Sequence, residues 1–277
     1  MFETPFKSIT LQVKALMESL TFYEDVLGFT VYQQDPHHTR LGTEENSFLH
    51  LQKSSGENSL PNTTGLFHMA LLLPERTHLA QMLSHIKESG TPLLGFSDHG
   101  VSHAIYLQDP EGNGLELYWD RPREEWPIQH GQLQMTTRPL NIQKLSRLAE
   151  NSGDDWQGLP PRTRLGHVHL RVNAIEPAES FYQDILGMDL MQRYGNAASF
   201  FSYAGYHHHI GVNTWNSKGA PPPPQDAPGL GWITLEYHPG MDLDASRISS
   251  PPRGVSQPGQ WVMDPAGNRF LIQNPDT

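Results

Sequence analysis

The chain contains no cysteine. That excludes disulfides, thiolate metal sites and a cysteine nucleophile, and it leaves the redox compartment unspecified. No run of about 18 apolar residues is present to span a bilayer, and the start, MFETPFKSIT, lacks the basic region and apolar core of a signal peptide. The expected location is the cytoplasm. Positive charge is also scarce: 19 Lys+Arg stand against 30 Asp+Glu, a formal net charge of -11. This balance argues against nucleic acid or an anionic membrane surface as a partner. What stands out instead is histidine, with 15 in 277 residues. With thiolates excluded, any transition-metal site must use imidazole and carboxylate, a ligand set that suits Fe, Mn, Zn or Cu.

A chain of 277 residues is long enough for two domains, and internal repetition supplies the organisation. Ile9 to Phe29, ITLQVKALMESLTFYEDVLGF, and Val168 to Met188, VHLRVNAIEPAESFYQDILGM, share a β-like run, a short amphipathic helix carrying Phe-Tyr, and a Leu-Gly stop. Gly28 and Gly187 suit the position just past a helix end, where the backbone turns left-handed. Two further openings, FHMALLLPERTHLAQMLSHIKESG from Phe67 and GWITLEYHPG from Gly231, start as strand then helix. The first has Leu79, Met82, Leu83 and Ile86 at helical spacing over Arg76 to Ser89, with Gly90 at its end. Closing segments repeat as well: LQDPEGNGLELY (Leu107 to Tyr118) matches VMDPAGNRFLIQ (Val262 to Gln273). Four modules, each roughly strand, helix and three strands, are therefore expected at 6–54, 65–120, 164–217 and 229–274. Residues 131–163, rich in Pro, Gly, Asp and Ser around a short helix over Leu140 to Ala149, read as a linker. The expected domains are 1–130, from modules one and two, and 164–277, from modules three and four.

One stretch concentrates the chemistry: Ser97 to Tyr118, SDHGVSHAIYLQDPEGNGLELY. Asp109-Pro110 and Asn113-Gly114 are turn residues between two β-rich runs, so the segment reads as strand, turn, strand. On the second strand Leu115, Leu117 and Trp119 alternate with Glu116, Tyr118 and Asp120, which turns Glu116 away from the leucines.

Tandem modules with Phe-Tyr helices and Asp-Pro-x-Gly-Asn turns resemble the vicinal oxygen chelate superfamily, which includes glyoxalase I, bleomycin-resistance proteins and type I extradiol dioxygenases. The resemblance covers nearly the whole chain and implies an α+β fold, four βαβββ modules forming two domains with half-barrel sheets. More narrowly, His99, Ile105, Tyr106, Asp109, Pro110, Gly112 and Glu116 fill the extradiol dioxygenase signature, with Ser97 a minor departure. This implies Fe(II), or Mn(II), as cofactor, with O2 and a small aromatic diol as reactants. A catechol would be opened beside its two hydroxyls to a muconic semialdehyde.

The resemblance also implies site residues. His68 and Glu116 fall where the family places metal ligands. Aligning Tyr23 with Tyr182 puts Ser8 and His167 at equivalent first-strand positions, and serine is no substitute ligand. The implied centre is His68, His167 and Glu116, shared between modules two and three, whereas familiar relatives use modules three and four. Such a 2-His-1-carboxylate set leaves positions open for substrate and O2. Module four has Trp232 and Leu271 at its ligand positions and reads as structural. In the run Tyr206-His207-His208-His209-Ile210-Gly211-Val212, read as a short strand, His208 matches the family's acid–base histidine, and a one-residue slip would choose His209. His99 and Tyr106 are expected to line the same pocket. His37, His38, His50, His78, His85 and His130 read as ordinary surface or packing residues, as do Tyr118 and Trp119. Other readings on the same fold are a hydroquinone-cleaving dioxygenase, a glyoxalase-type metalloenzyme and a metal-free small-molecule binding protein. Exposed strand edges leave room for a homo-oligomer.

Overall fold

Alternation of apolar and polar residues in the β-rich runs yields strands with one face in an apolar core and one face free for polar side chains. The computed structural model describes residues 4–57, 62–153 and 156–274. The first three residues of the N-terminal stretch, residues 58–61 of the expected first domain, two linker residues and the last three residues of the expected second domain lie outside these. Module one comprises β1 (Phe6–Val13), α1 (Leu16–Thr21), β2 (Thr30–Gln34), β3 (His38–Gly42) and β4 (Ser47–Lys53). Module two comprises β5 (Gly65–Leu72), α2 (Arg76–Ser89), β6 (Gly95–Asp98), β7 (Ser102–Gln108) and β8 (Gly114–Asp120). The connection carries β9 (Ile128–Gln129), β10 (Gln132–Leu133) and α3 (Ile142–Ser152). Module three comprises β11 (Arg164–Arg171), α4 (Ile175–Ser180), β12 (Asp189–Tyr194), β13 (Ala198–Ser202) and β14 (Ile210–Asn213). Module four has β15 (Gly229–Glu236), β16 (Gln260–Met263) and β17 (Arg269–Gln273), with a single 3-10 turn, Ala245–Arg247, where a helix was expected. The sequence there, HPGMDLDASR, opens on Pro239-Gly240, which disfavour a helix, and alternates Met241, Leu243 and Ala245 with aspartates.

Helix α2 has the bounds its periodicity predicts. It ends at Gly90 with φ 75°, and its buried face is Leu79, Met82, Leu83 and Ile86. The linker helix starts two residues later than expected, because the Asn141 side chain accepts a hydrogen bond from the Lys144 amide and so caps it. Both Phe-Tyr helices widen into a π turn, Phe22–Val26 and Phe181–Ile185. Gly28 and Gly187 follow at φ 73° and 66°.

The two large sheets are built crosswise, not from consecutive modules, and β9 with β10 makes a separate two-stranded sheet. The seven-stranded sheet runs β16-β17-β15-β1-β4-β3-β2, uniting modules one and four, and the eight-stranded sheet runs β12-β13-β14-β11-β5-β8-β7-β6, uniting modules two and three. The expected division into 1–130 and 164–277 therefore does not describe the sheets. Its physical reason lies in the first strands: β1 pairs antiparallel with β15 and β11 with β5, so each module's opening strand completes a sheet with a module from the other half of the chain. Chain-order pairing survives at the helices. The Tyr23 hydroxyl donates to Asp109 Oδ2 at 2.9 Å, fastening module one to the turn of module two, and Tyr182 donates to Asp264 Oδ2 at 2.9 Å, fastening module three to module four.

The eight-stranded sheet curls into a half-barrel. Met69, Leu71, Leu115, Leu117, Val168 and Leu170 on one face join the buried core with α2. The opposite, concave face carries the histidines.

Candidate metal centre

Side chains of directly paired strand residues share a face, so register decides which polar groups meet. Tyr106 of β7 pairs with Glu116 of β8, Glu116 with Ala70 of β5, and Ala70 with His167 of β11. One row across four strands thus reads Tyr106, Glu116, Ala70, His167. Ala70 contributes only a methyl, which lets Glu116 and His167 close over it. In the adjacent row His68 of β5 pairs with His169 of β11, and His169 with Gly211 of β14. Gly211 leaves space for the His169 ring, which a Cβ there would press at 3.1 Å.

Three donor atoms converge where these rows meet. Glu116 Oε2 lies 3.0 Å from His68 Nε2 and 3.2 Å from His167 Nε2, and one ligand atom from each residue falls within 4.8 Å of the others. All three residues are buried. His68 Nε2 completes no aligned hydrogen bond despite its closeness to the carboxylate. A buried nitrogen aimed at a carboxylate without bonding it well is placed for a cation between them. The donor set, two imidazoles and one carboxylate, fits a divalent metal of the Fe or Mn kind.

Electrostatics prepare the same site. Burial opposes ionisation of Glu116, but the His167 and His68 imidazoles together hold its carboxyl well below the usual range. Burial outweighs the pull of Glu116 on His167 and lowers its pKa to about 4. The cluster therefore offers an ionised Glu116 carboxylate and a neutral His167 imidazole, the protonation states metal binding needs.

A cavity of about 430 Å3 opens above this cluster. Phe67, Phe200 and Trp215 give it apolar walls, and Met135, Thr136 and Thr137 of the connecting segment cover one side. His99 and Tyr106, expected in the pocket, are there: His99 Nδ1 lies 2.8 Å from the Thr136 carbonyl oxygen and Nε2 2.7 Å from the Tyr106 hydroxyl. The carbonyl can only accept, so His99 donates from Nδ1, and in the neutral ring Nε2 accepts from Tyr106. Burial, then the Glu116 carboxylate, raise the Tyr106 phenol well above its ordinary pKa.

His208 also lines the cavity, whereas His209 faces away, packed between Tyr206 and Tyr203. The expected strand over 206–212 begins only at Ile210. Ala204 and Gly205 are left-handed, with φ 53° and 68°, so the histidines occupy a turn and His207 touches His208 instead of opposing it.

The sequence profile of the Glyoxalase/Bleomycin resistance protein/Dioxygenase superfamily matches residues 6–117 and 164–239. The chain belongs to this superfamily. It is 40% identical over 273 residues to "Catechol-2,3-dioxygenase" of Bacillus subtilis (strain 168), covering 96% of this chain and 92% of that protein. It is 30% identical over 129 residues to "Biphenyl-2,3-diol 1,2-dioxygenase 3" of Rhodococcus globerulus, covering 44% of this chain and 68% of that protein. The crystal structure of glyoxalase I from Zea mays shares the fold, with TM-score 0.58 at 16% identity over 98% of this chain and 92% of that one. Relationship to a dioxygenase over nearly its full length makes this superfamily member an enzyme of the dioxygenase type. Among the described residues no helix is long and apolar enough to cross a membrane.

One buried residue escaped the sequence reading. His169 is 4% exposed, lines the cavity and leaves Nε2 without a hydrogen-bond partner. Its signal was the His-x-His spacing, since residues two apart on a strand face the same side. The connecting segment was read as linker, yet it supplies a cavity wall and the acceptor for His99.

Proposed function

We propose that this superfamily member is an extradiol ring-cleaving dioxygenase that opens a catechol with O2 to a muconic semialdehyde. It would use Fe(II), with Mn(II) as the alternative, held by His68, His167 and Glu116. The observation that carries this reading is the convergence of three donors within 4.8 Å at the base of a cavity, in a chain 40% identical to a catechol dioxygenase. A glyoxalase-type centre would call for a second carboxylate, and among the described residues the cluster has one.

A bound metal of this kind supplies chelation of adjacent diol oxygens, lowers the cost of their deprotonation and keeps positions open for O2. The chain's own residues do the rest. Burial and the neighbouring His167 and His207 imidazoles hold the His208 pKa well below its ordinary value, so its neutral ring accepts a substrate proton and returns it later. His99 holds the Tyr106 hydroxyl at 2.7 Å on the cavity wall, within reach of a substrate hydroxyl. Phe67, Phe200 and Trp215 pack against the flat ring and keep water out.

The test is anaerobic loading with Fe(II), then catechol or 3-methylcatechol with oxygen uptake and the yellow ring-fission product recorded together. Equal consumption of O2 and diol with chromophore is expected, and Glu116→Ala should lose both metal and turnover. Metal binding without O2 uptake on catechols and hydroquinones alike would overturn the oxygenase reading. Activity retained in Glu116→Ala would overturn the ligand set.

A further inference from the structure

Behind His208 runs a chain of buried and partly buried hydrogen bonds that the reaction as described does not use. His207 Nδ1 lies 2.8 Å from His208 Nδ1. On its other side His207 Nε2 lies 2.8 Å from Asp120 Oδ1. The second oxygen of Asp120 accepts from the Tyr206 hydroxyl at 2.7 Å, and Tyr206 meets the Tyr118 hydroxyl at 2.9 Å. His207 is fully buried, with the Trp126 ring against it. Tyr118 is seated because Gly166 carries no side chain; a Cβ there would overlap its hydroxyl.

Proton bookkeeping along this chain has one solution for neutral rings. The Asp120 carboxylate can only accept, so His207 donates from Nε2 and its Nδ1 bears a lone pair. That lone pair faces His208 Nδ1, which must then be the N–H of His208. His208 Nε2 is left with a lone pair, and it is the nitrogen not engaged by this chain in a ring that lines the cavity.

We infer that Asp120 and His207 are positioning residues that fix His208 in its Nδ1–H tautomer, so that the free Nε2 lone pair is presented to the substrate. The inference deepens the proposed function, resting on His208 as the group that exchanges a proton with substrate. Without the relay the ring would hold either tautomer, and the one with hydrogen on Nε2 cannot accept the substrate proton. Asp120 reaches this role from β8, four residues beyond Glu116, because residues two apart on a strand share a face. One strand thereby carries both a metal-site carboxylate and the carboxylate that orients the base.

The experiment compares wild type, His207→Phe and His207→Asn. Phenylalanine keeps the ring packing but removes the acceptor. Asparagine restores an oxygen acceptor near the Nδ1 position. Long-range proton–nitrogen correlation spectra of metal-free, 15N-histidine-labelled protein read the tautomer directly. Wild-type His208 should be the Nδ1–H form, His207→Phe should shift it toward Nε2–H, and His207→Asn should return it. In the Fe(II) enzyme, kcat should fall about 10- to 100-fold in His207→Phe with KM and metal content unchanged, and recover in His207→Asn. A wild-type Nε2–H tautomer, or an unchanged tautomer in His207→Phe, would overturn the relay. So would equal losses in both variants, which mark a packing role. If His207→Phe does not fold, the wild-type and asparagine spectra still decide. The spectra need neither metal nor turnover, so they judge the relay separately from the dioxygenase reading.

Discussion

Glu116 is a carboxylate held between two imidazoles and almost wholly buried at the base of the cavity. An ion so buried is costly unless paired, and the arrangement makes sense as a cation site. His208 stands apart from the three converging donor atoms but against the His167 ring, with centroids 4.2 Å apart. His208→Ala should therefore keep the metal, checked by metal analysis, and lose turnover by about 10²- to 10⁴-fold, the usual contribution of general acid–base catalysis. His50 is the residue that gives the clearest pH signature away from this site. Burial, with Arg40 adding to it, lowers its pKa from 6.5 to about 4. The folded protein thus holds His50 neutral while the unfolded chain takes up a proton, so stability is fully present above pH 6.5 and falls as pH drops toward 4. The contribution is on the order of 3 kcal/mol. Urea unfolding at pH 7 and pH 4.5 should show a smaller acid loss in His50→Gln than in wild type.

At the scale of elements, the two Asp-Pro-x-Gly-Asn turns are polar sockets. Asp109 Oδ1 accepts from the Glu111 and Asn113 amides, and Oδ2 from the Asn113 side chain and Tyr23. Asp264 repeats this with Ala266, Asn268 and Tyr182. Tyr23→Phe should destabilise by about 1.5–3 kcal/mol, the range for a hydrogen bond to a charged group, read from the urea midpoint at unchanged slope. Tyr182→Phe should cost a similar amount. Elements whose signal is local were legible: α2 follows from its apolar spacing, and Gly28, Gly90 and Gly187 follow from the left-handed turn that ends a helix. The turn before β14 was not legible, since the run after Tyr206 carries strand-forming residues and only the left-handed Ala204 and Gly205 delay the strand. The covering segment at 134–137 was hidden for a different reason. Its role comes from a backbone carbonyl, which has no sequence signature.

For the whole molecule, crosswise sheets make each half of the chain incomplete. β1 closes its sheet only with β15, and β5 only with β11, pairings between residues far apart in the chain, whose formation carries the entropy cost of closing long loops. A fragment of residues 1–130 holds His68 and Glu116 but lacks His167. Expressed alone it should show no cooperative unfolding and no metal uptake, and mixing with 131–277 should restore both, checked by calorimetry and metal titration. Independent folding of 1–130 would argue that the helix fastenings outweigh the shared sheets.

The sequence by itself determined the local chemistry of this protein. Zero cysteines and many histidines limit the available metal donors to imidazole and carboxylate, the repeated Phe-Tyr helices and Asp-Pro turns set the modules, and alternation along β8 turned Glu116 away from the core. Matching Ser8 against His167 singled out a residue of module three that the structure brings beside His68 and Glu116 of module two. Only the tertiary structure decided which sheets the modules form, that His169 and a stretch of linker join the cavity, and that Asp120 and His207 stand behind His208. The reason is physical: alternation and turn residues act over a few neighbours, whereas strand register and the meeting of side chains across a sheet depend on partners distant in the chain, 37 residues for His99 and Thr136 and 87 for Asp120 and His207, which no local pattern encodes.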